Sequence, residues 1–143
     1  MPSNYDVDFY AWANEQSALL RAGKLSAADI DNIAEEIATL GRSEKRELVN
    51  RLSVLLMHLL KWQFQPDKRS RSWEFSIKDQ RRMLASHLRD NPSLKYQLLE
   101  SIAEAYGSAA GRAGLETGLP DDAFPPHCQY STDKMMSADF WPE

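Results

Sequence analysis

The sequence predicts an all-α protein: one domain over residues 1–143, an antiparallel helical bundle of four to five helices with an irregular, proline-rich tail packed on it. Five segments repeat their apolar residues with a helical period, and no segment alternates like a strand. The connections between these segments are short, as in up-and-down bundles. The chain has 143 residues and is 43% hydrophobic, which is enough to form a core without disulfide bonds.

The first two predicted helices are bounded by glycines. The first runs from Asp8 to Ala22, and the following Gly23 favours the left-handed conformation that ends many helices. The second begins with Ser26 as its N-cap and ends at Gly41. Each helix has an apolar stripe that we expect to face the core. The stripes consist of Phe9, Trp12, Ala13, Gln16, Leu19 and Leu20 in the first helix, and of Ile30, Ile33, Ala34, Ile37 and Leu40 in the second.

The three remaining predicted helices are bounded by prolines. The third covers residues 43–65 and ends before Pro66, because the residue before a proline is pushed out of the helical region. The fourth covers residues 75–90, and the fifth begins after Asn91–Pro92, a cap followed by proline in the first helical position. Residues 119–143 then form a tail whose large apolar side chains are expected to anchor it in a groove of the bundle: Leu119, Phe124, Tyr130, Phe140 and Trp141.

The charges of the chain are unevenly distributed. There are 17 Lys and Arg against 21 Asp and Glu, yet residues 61–82 contain 7 positive and 3 negative side chains. This basic stretch is also rich in aromatic residues. It predicts a face that binds a macromolecular partner through Lys68, Arg69, Arg71 and Trp73. A protein partner is favoured over nucleic acid because the isoelectric point is about 5.4, and a merely solvated loop is the alternative.

No targeting or membrane-spanning segment is expected. The longest apolar run, Val54–Met57, is far shorter than the roughly 18 residues that a transmembrane helix needs. The first six residues lack the basic and apolar regions of a signal peptide. These features predict a cytoplasmic protein that does not bind membranes, and the single Cys128 agrees because it cannot form an internal disulfide bond. We expect a monomer or a homodimer.

Motifs along the whole chain resemble those of one family. They include Tyr5-Asp-x-Asp8-Phe-Tyr-Ala-Trp12, Leu40-Gly-Arg-Ser-Glu44, His58-Leu-Leu-Lys-Trp62, Arg69-Ser-Arg-Ser-Trp73 and Glu116-Thr-Gly-Leu-Pro120. With these motifs in this order, the sequence resembles the bacterial domain-of-unknown-function family 29. The resemblance implies an all-helical bundle and no established activity, cofactor or catalytic residue.

A polar pocket between helices is a second candidate site. Arg81 lies about 40° from Ile77 on the helical wheel, within the apolar stripe of its helix, so its guanidinium requires a partner. Glu36 and His58 lie at the boundaries of their stripes. A bidentate pair between Arg81 and Glu36, with His58 or Gln80 in the remaining hydrogen-bond positions, is the simplest arrangement. The pair either fixes only the register of the helices or forms the pocket of an enzyme or ligand-binding bundle.

Neither a metal site nor a cofactor is predicted. The chain lacks the Glu-x-x-His motif of di-iron bundles, and ligand spacing gives no support to a site made of Glu36, His58 and His87. It also lacks the motifs of serine hydrolases, phosphate-binding loops and zinc proteases. The adjacent His127 and Cys128 do not indicate a nucleophile. The sequence therefore favours a small, non-catalytic interaction module.

Overall fold

The computed structural model describes residues 4–143, and these residues contain helices and no strand. The α-helices are α1 (Asn4–Val7), α2 (Phe9–Arg21), α3 (Ile30–Phe64), α4 (Arg71–Asp90), α5 (Leu98–Thr117) and α6 (Thr132–Met136). Short 3₁₀ turns occupy Leu25–Ala27, Pro66–Lys68, Pro92–Gln97 and Asp121–Ala123. Among the described helices, none combines the length and the apolar character needed to cross a bilayer. The prediction of an all-α helical bundle is confirmed.

Contacts within the chain define two compact units. The first ends at Ser43, and the second comprises Glu44–Glu143. Helix α3 contributes residues to both. The assignment of residues 1–143 to one domain stays a prediction. Residues 1–3, which belong to the segment used to judge targeting signals, lie outside the described part of the chain.

The predicted break at Gly41 is wrong, because α3 runs through it as one helix of 35 residues. A glycine in an exposed helix costs only about 1 kcal/mol relative to alanine. Side-chain contacts support the helix here, since Arg42 Nη2 donates to Glu35 Oε1 at 3.0 Å and to Thr39 Oγ1 at 2.9 Å. A Cβ atom at Gly41 would meet nothing within 4 Å. The sequence signal for a helix end is therefore overridden by continuous helix-forming residues on both sides.

Other predicted helix ends agree with the structure in part. Gly23 and Gly118 follow α2 and α5 in the left-handed conformation, with φ of 72° and 76°. Ser26 does not cap α3, because it lies in a 3₁₀ turn and the helix begins later. Helix α4 begins earlier than predicted, because the Ser70 side chain caps it by accepting a hydrogen bond from the Trp73 N–H at 3.2 Å.

The second unit contains a dense hydrophobic core. Helix α3 contributes leucines with no exposed surface, α4 adds branched side chains, and α5 presents a stripe of small residues that lets the helices approach closely. Phe124 and Met135 of the tail are also buried in this core. The core residues include Leu48, Leu52, Leu55, Leu56, Leu59, Ile77, Leu84, Ala105, Ala109 and Ala113. The tail is therefore part of the folded unit.

Candidate functional site

The first unit has large apolar side chains on its surface. Phe9 is 49% exposed, Leu20 41%, Ile37 64% and Leu40 67%. The expectation that both stripes face a core is therefore wrong for these positions. They line an apolar groove of about 730 Å³ between α2 and the first part of α3. We call it the N-terminal groove; its apolar lining includes Phe9, Ala13, Leu20, Ile33, Ile37 and Leu40.

A partly buried polar network holds the two helices that form the N-terminal groove. The Asp29 carboxylate accepts hydrogen bonds from Asn32 Nδ2 at 2.8 Å and from Trp12 Nε1 at 3.0 Å. These bonds lower the pKa of Asp29, because they stabilise its charged form. Gln16 Oε1 accepts from the Asp29 N–H at 2.7 Å. Polar contacts thus connect α2 to the start of α3 and leave the apolar side chains on the surface.

An aromatic cluster continues this unit at the start of α2. The ring of Trp12 lies 4.8 Å from that of Tyr5 and 5.4 Å from that of Phe9, measured between centroids. The Tyr5 hydroxyl donates to Glu36 Oε1 at 2.5 Å. This hydrogen bond to a carboxylate raises the pKa of Tyr5 to about 12. Glu36, which was predicted to belong to a polar pocket, is therefore engaged by Tyr5 and lies in the wall of the N-terminal groove.

The net charge of the chain is concentrated in the same unit. Residues 1–43 contain 7 acidic and 3 basic side chains, whereas residues 44–143 contain 14 of each. The formal charge of −4 is thus the charge of the first unit alone. An apolar groove in acidic surroundings attracts positively charged partners and repels negatively charged ones.

Arg81, which was predicted to pair with Glu36, binds the C-terminal tail instead. Its Nε donates to the Met135 carbonyl at 2.7 Å, and its Nη2 donates to the carbonyls of Phe140 at 2.8 Å and Lys134 at 3.4 Å. These tail carbonyls are buried or partly buried, and an arginine supplies several donors at once. The prediction that Arg81 is buried and needs partners holds, but the partners are backbone atoms.

Arg69, which was predicted to anchor a partner, also holds the tail. Its Nε donates to the Trp62 carbonyl at 2.8 Å, and its Nη2 donates to the Pro142 carbonyl at 3.2 Å. The Arg69 guanidinium lies 4.9 Å from the centroid of the Trp62 ring. The centroids of the Trp62 and Trp141 rings are 4.7 Å apart. The Arg81 guanidinium lies 5.6 Å from the centroid of the Trp141 ring. Two arginines therefore enclose two tryptophans through cation–π contacts.

The rest of the basic stretch is partly engaged within the second unit. Lys61 is only 6% exposed, and its Nζ lies 3.2 Å from Glu116 Oε1 and 4.7 Å from the centroid of the Trp73 ring. Trp73 is thus covered by a cation of its own chain. Lys68 and Arg71, the other two predicted partner-binding residues, are exposed to solvent.

His58 and Gln80 are the two remaining residues of the predicted polar pocket. His58 Nδ1 lies 2.8 Å from the Val54 carbonyl, which only accepts, so Nδ1 carries the proton. Burial lowers the pKa of His58 and favours the neutral ring. Gln80 Oε1 and Arg81 Nη1 are buried without a hydrogen-bond partner among the described residues. Each of the pocket residues with a described hydrogen bond has its own partner: Glu36 accepts from Tyr5, His58 lies against the Val54 carbonyl, and Arg81 donates to tail carbonyls.

Comparison with known proteins gives the family. The family model for the domain of unknown function DUF29 matches residues 4–141. The chain belongs to this family. The match confirms the resemblance seen in the motifs and extends over both compact units of the DUF29 chain. Curated proteins and solved structures gave no match, so its function has to be argued from its own residues.

One cluster of polar residues on α3 and α4 was not predicted from the sequence. Glu44 and Glu47 lie one turn apart on α3, and His87 comes from the last turn of α4. One ligand atom from each of the three lies within 4.8 Å of the other two. The spacing of the two glutamates is visible in the sequence, whereas the histidine reaches them only through the packing of two helices.

Proposed function

We propose that this protein is a non-catalytic interaction module whose N-terminal groove binds an amphipathic helix of a partner protein, one with basic residues beside its apolar stripe. The observation that carries this proposal is the exposure of Ile37 and Leu40 at 64% and 67% within one apolar groove. Contiguous exposed apolar surface is typical of interaction sites on soluble proteins. A cytoplasmic location belongs to the same proposal.

The shape of the N-terminal groove favours a helical partner. Ile33, Ile37 and Leu40 follow the spacing of one helix face and form a ridge along α3. The facing residues of α2, including Phe9 and Leu20, form the opposite wall. Grooves between two helices typically accept the i, i+3, i+4 and i+7 side chains of a third helix. A groove of about 730 Å³ holds several such side chains.

The charge of the first unit favours a basic partner over a second copy of the chain. Residues 1–43 have 7 acidic and 3 basic side chains, and Glu36 lies in the groove wall itself. A second copy would bring the same negative charge to the interface, and like charges disfavour association. A helix with lysine or arginine beside its apolar stripe gains electrostatic attraction in addition to apolar burial.

The basic stretch at residues 61–82 offers a weaker binding surface than the groove. Arg69 is held by backbone carbonyls of its own unit. Two more cations of this stretch form ion pairs on α4, Lys78 with Glu74 at 2.8 Å and Arg82 with Asp79 at 2.5 Å. Internal contacts thus account for much of the positive charge that suggested a nucleic-acid or protein contact.

Site-specific photo-cross-linking in the host cell tests the proposal. A photo-reactive amino acid replaces Ile37 in the groove, and the matched control replaces Leu115, which is 84% exposed on α5. We expect position 37 alone to cross-link to another protein, at a segment with an apolar helical stripe and flanking lysine or arginine. Cross-links to a second copy of the chain, to an acidic segment, or equally from both positions would contradict the proposal.

A further inference from the structure

Helices α3 and α4 place a buried histidine beside two carboxylates. His87 is 7% exposed. Its Nδ1 atom lies 3.3 Å from Glu47 Oε2 and 3.6 Å from Glu44 Oε2. Both distances exceed the roughly 2.7–3.2 Å of an ordinary N–H···O hydrogen bond. One ligand atom of each residue lies within 4.8 Å of the other two, and neither carboxylate forms a short hydrogen bond with Nδ1.

The other ring nitrogen determines which atom of His87 faces the carboxylates. Nε2 lies 2.8 Å from the backbone carbonyl of Glu44. Because a carbonyl only accepts, Nε2 carries a proton, and the neutral ring directs the lone pair of Nδ1 toward the two carboxylate oxygens. Metal-binding histidines commonly have this arrangement, with the second ring N–H donated to a backbone carbonyl or carboxylate. A lone pair among anionic oxygens is stabilised by a cation between them.

Neighbouring residues hold the three groups in place. Arg51 donates to Glu47 Oε1 from Nε at 3.1 Å and from Nη2 at 2.9 Å, so the other oxygen of Glu47 faces His87. Asn91 Nδ2 donates to the His87 carbonyl at 3.1 Å and supports the last turn of α4. Orientation of ligands by a second layer of hydrogen bonds is typical of metal sites.

We propose that Glu44, Glu47 and His87 bind a Zn²⁺ ion, with a fourth position open to a cavity of about 370 Å³. Zinc bonds of about 2.0–2.1 Å in a tetrahedral site place neighbouring ligand atoms about 3.3–3.5 Å apart. The distances from His87 Nδ1 to the two carboxylate oxygens, 3.3 Å and 3.6 Å, are close to this spacing. The imidazole ligand favours Zn²⁺ over Mg²⁺ and Ca²⁺, which prefer oxygen. Asp90 lines the same cavity and adds negative charge.

Zinc titration of the untagged, full-length chain tests this site. The protein is stripped with a chelator, and Zn²⁺ alone is then titrated in a calorimeter and in competition with a chromophoric chelator. We expect one Zn²⁺ per chain and a higher Tm with the ion. Glu44→Gln and Glu47→Gln should each weaken binding by about tenfold or more. The control variant His127→Gln removes an exposed histidine of the tail and should bind like the wild type.

Two results would overturn the zinc site: no stoichiometric Zn²⁺ binding by the wild-type chain, or unchanged affinity in both glutamine variants. Equal affinity for Mg²⁺ would overturn the choice of metal. The two glutamine variants should fold, because Glu44 is exposed and Glu47 is partly exposed, whereas a substitution of the buried His87 would disturb the packing of α3 and α4. Circular dichroism confirms that these variants are folded before each titration.

Discussion

The two compact units use leucines of the same helix in opposite ways. On α3, Leu40 is 67% exposed in the first unit, whereas Leu56 is 0% exposed in the second. The first unit is held by a polar network around Asp29 and has a charge of −4, while the second has a leucine core and balanced charge. An apolar stripe thus shows that a helix face needs a partner, but it does not show whether that partner belongs to the same chain.

The largest expected effect comes from truncating matched leucines in the two units. Leu56→Ala should lower the free energy of unfolding by about 2–5 kcal/mol, because it opens a cavity in a closed core. Leu40→Ala, on the same helix, should change it by less than about 0.5 kcal/mol. Urea denaturation followed by circular dichroism measures both. Equal losses would show that Leu40 is buried in solution and would remove the contrast between the units.

The tail of the second unit provides the next effect. Arg81→Met removes the donors that bind the carbonyls of Met135 and Phe140, and should lower the free energy of unfolding by about 2–3 kcal/mol. Arg82→Met is the matched control, because Arg82 is exposed. Tryptophan fluorescence should shift to longer wavelength only in Arg81→Met, as the Trp62–Trp141 pair gains contact with water. Identical behaviour of the two variants would contradict the tail-holding role of Arg81.

The groove of the first unit should respond in binding and not in stability. Ile37→Ser should weaken binding of an amphipathic peptide with flanking lysines by about tenfold, because it removes one apolar contact from the groove. Its free energy of unfolding should stay close to that of the wild type. Leu115→Ser, at a site on α5 that is 84% exposed, should bind like the wild type. Fluorescence anisotropy with a labelled peptide measures the affinities, and equal loss in both variants would indicate non-specific apolar binding.

The smallest expected effect is a pH dependence of the free energy of unfolding that comes from His58 in the second unit. Burial lowers the pKa of His58 in the folded chain below its ordinary value of 6.5. The unfolded chain therefore binds more protons just below pH 6.5, and the free energy of unfolding should fall as the pH decreases through this range. His58→Gln should flatten part of this slope, whereas His127→Gln should not. Denaturation curves at several pH values measure how the free energy of unfolding depends on pH. An unchanged dependence in His58→Gln would contradict the lowered pKa of His58.

Much of the fold follows from local signals in the sequence. Gly23 and Pro66 end helices as predicted, because conformational preferences of single residues act locally. Gly41 does not end a helix as predicted, since the same residue type is tolerated inside an exposed helix at a cost of about 1 kcal/mol. Helix periodicity also identified the core of the second unit. It could not distinguish that core from the exposed stripe that ends at Leu40.

The candidate sites were less predictable, because the side chains that form them contact residues far away in the sequence or contact backbone atoms. The position of Arg81 indicated a buried guanidinium, but backbone carbonyls carry no residue-specific signal that would have named its partners. Glu36 was predicted to lie at the edge of an apolar stripe and is partly buried, yet its contact with Tyr5 depends on how α1 and α3 pack. The cluster of Glu44, Glu47 and His87 needs two helices in register, which a search for motifs within one helix does not detect.

The central claim, that the N-terminal groove binds a basic amphipathic helix, is tested most directly by nuclear magnetic resonance. The ¹⁵N-labelled full-length chain is titrated with a lysine-flanked amphipathic peptide and with a glutamate-flanked peptide that has the same apolar stripe. We predict chemical-shift changes concentrated at residues 9–40 and clearly weaker binding of the glutamate-flanked peptide. Shift changes concentrated at residues 61–82, or equal affinity for the two peptides, would contradict the claim.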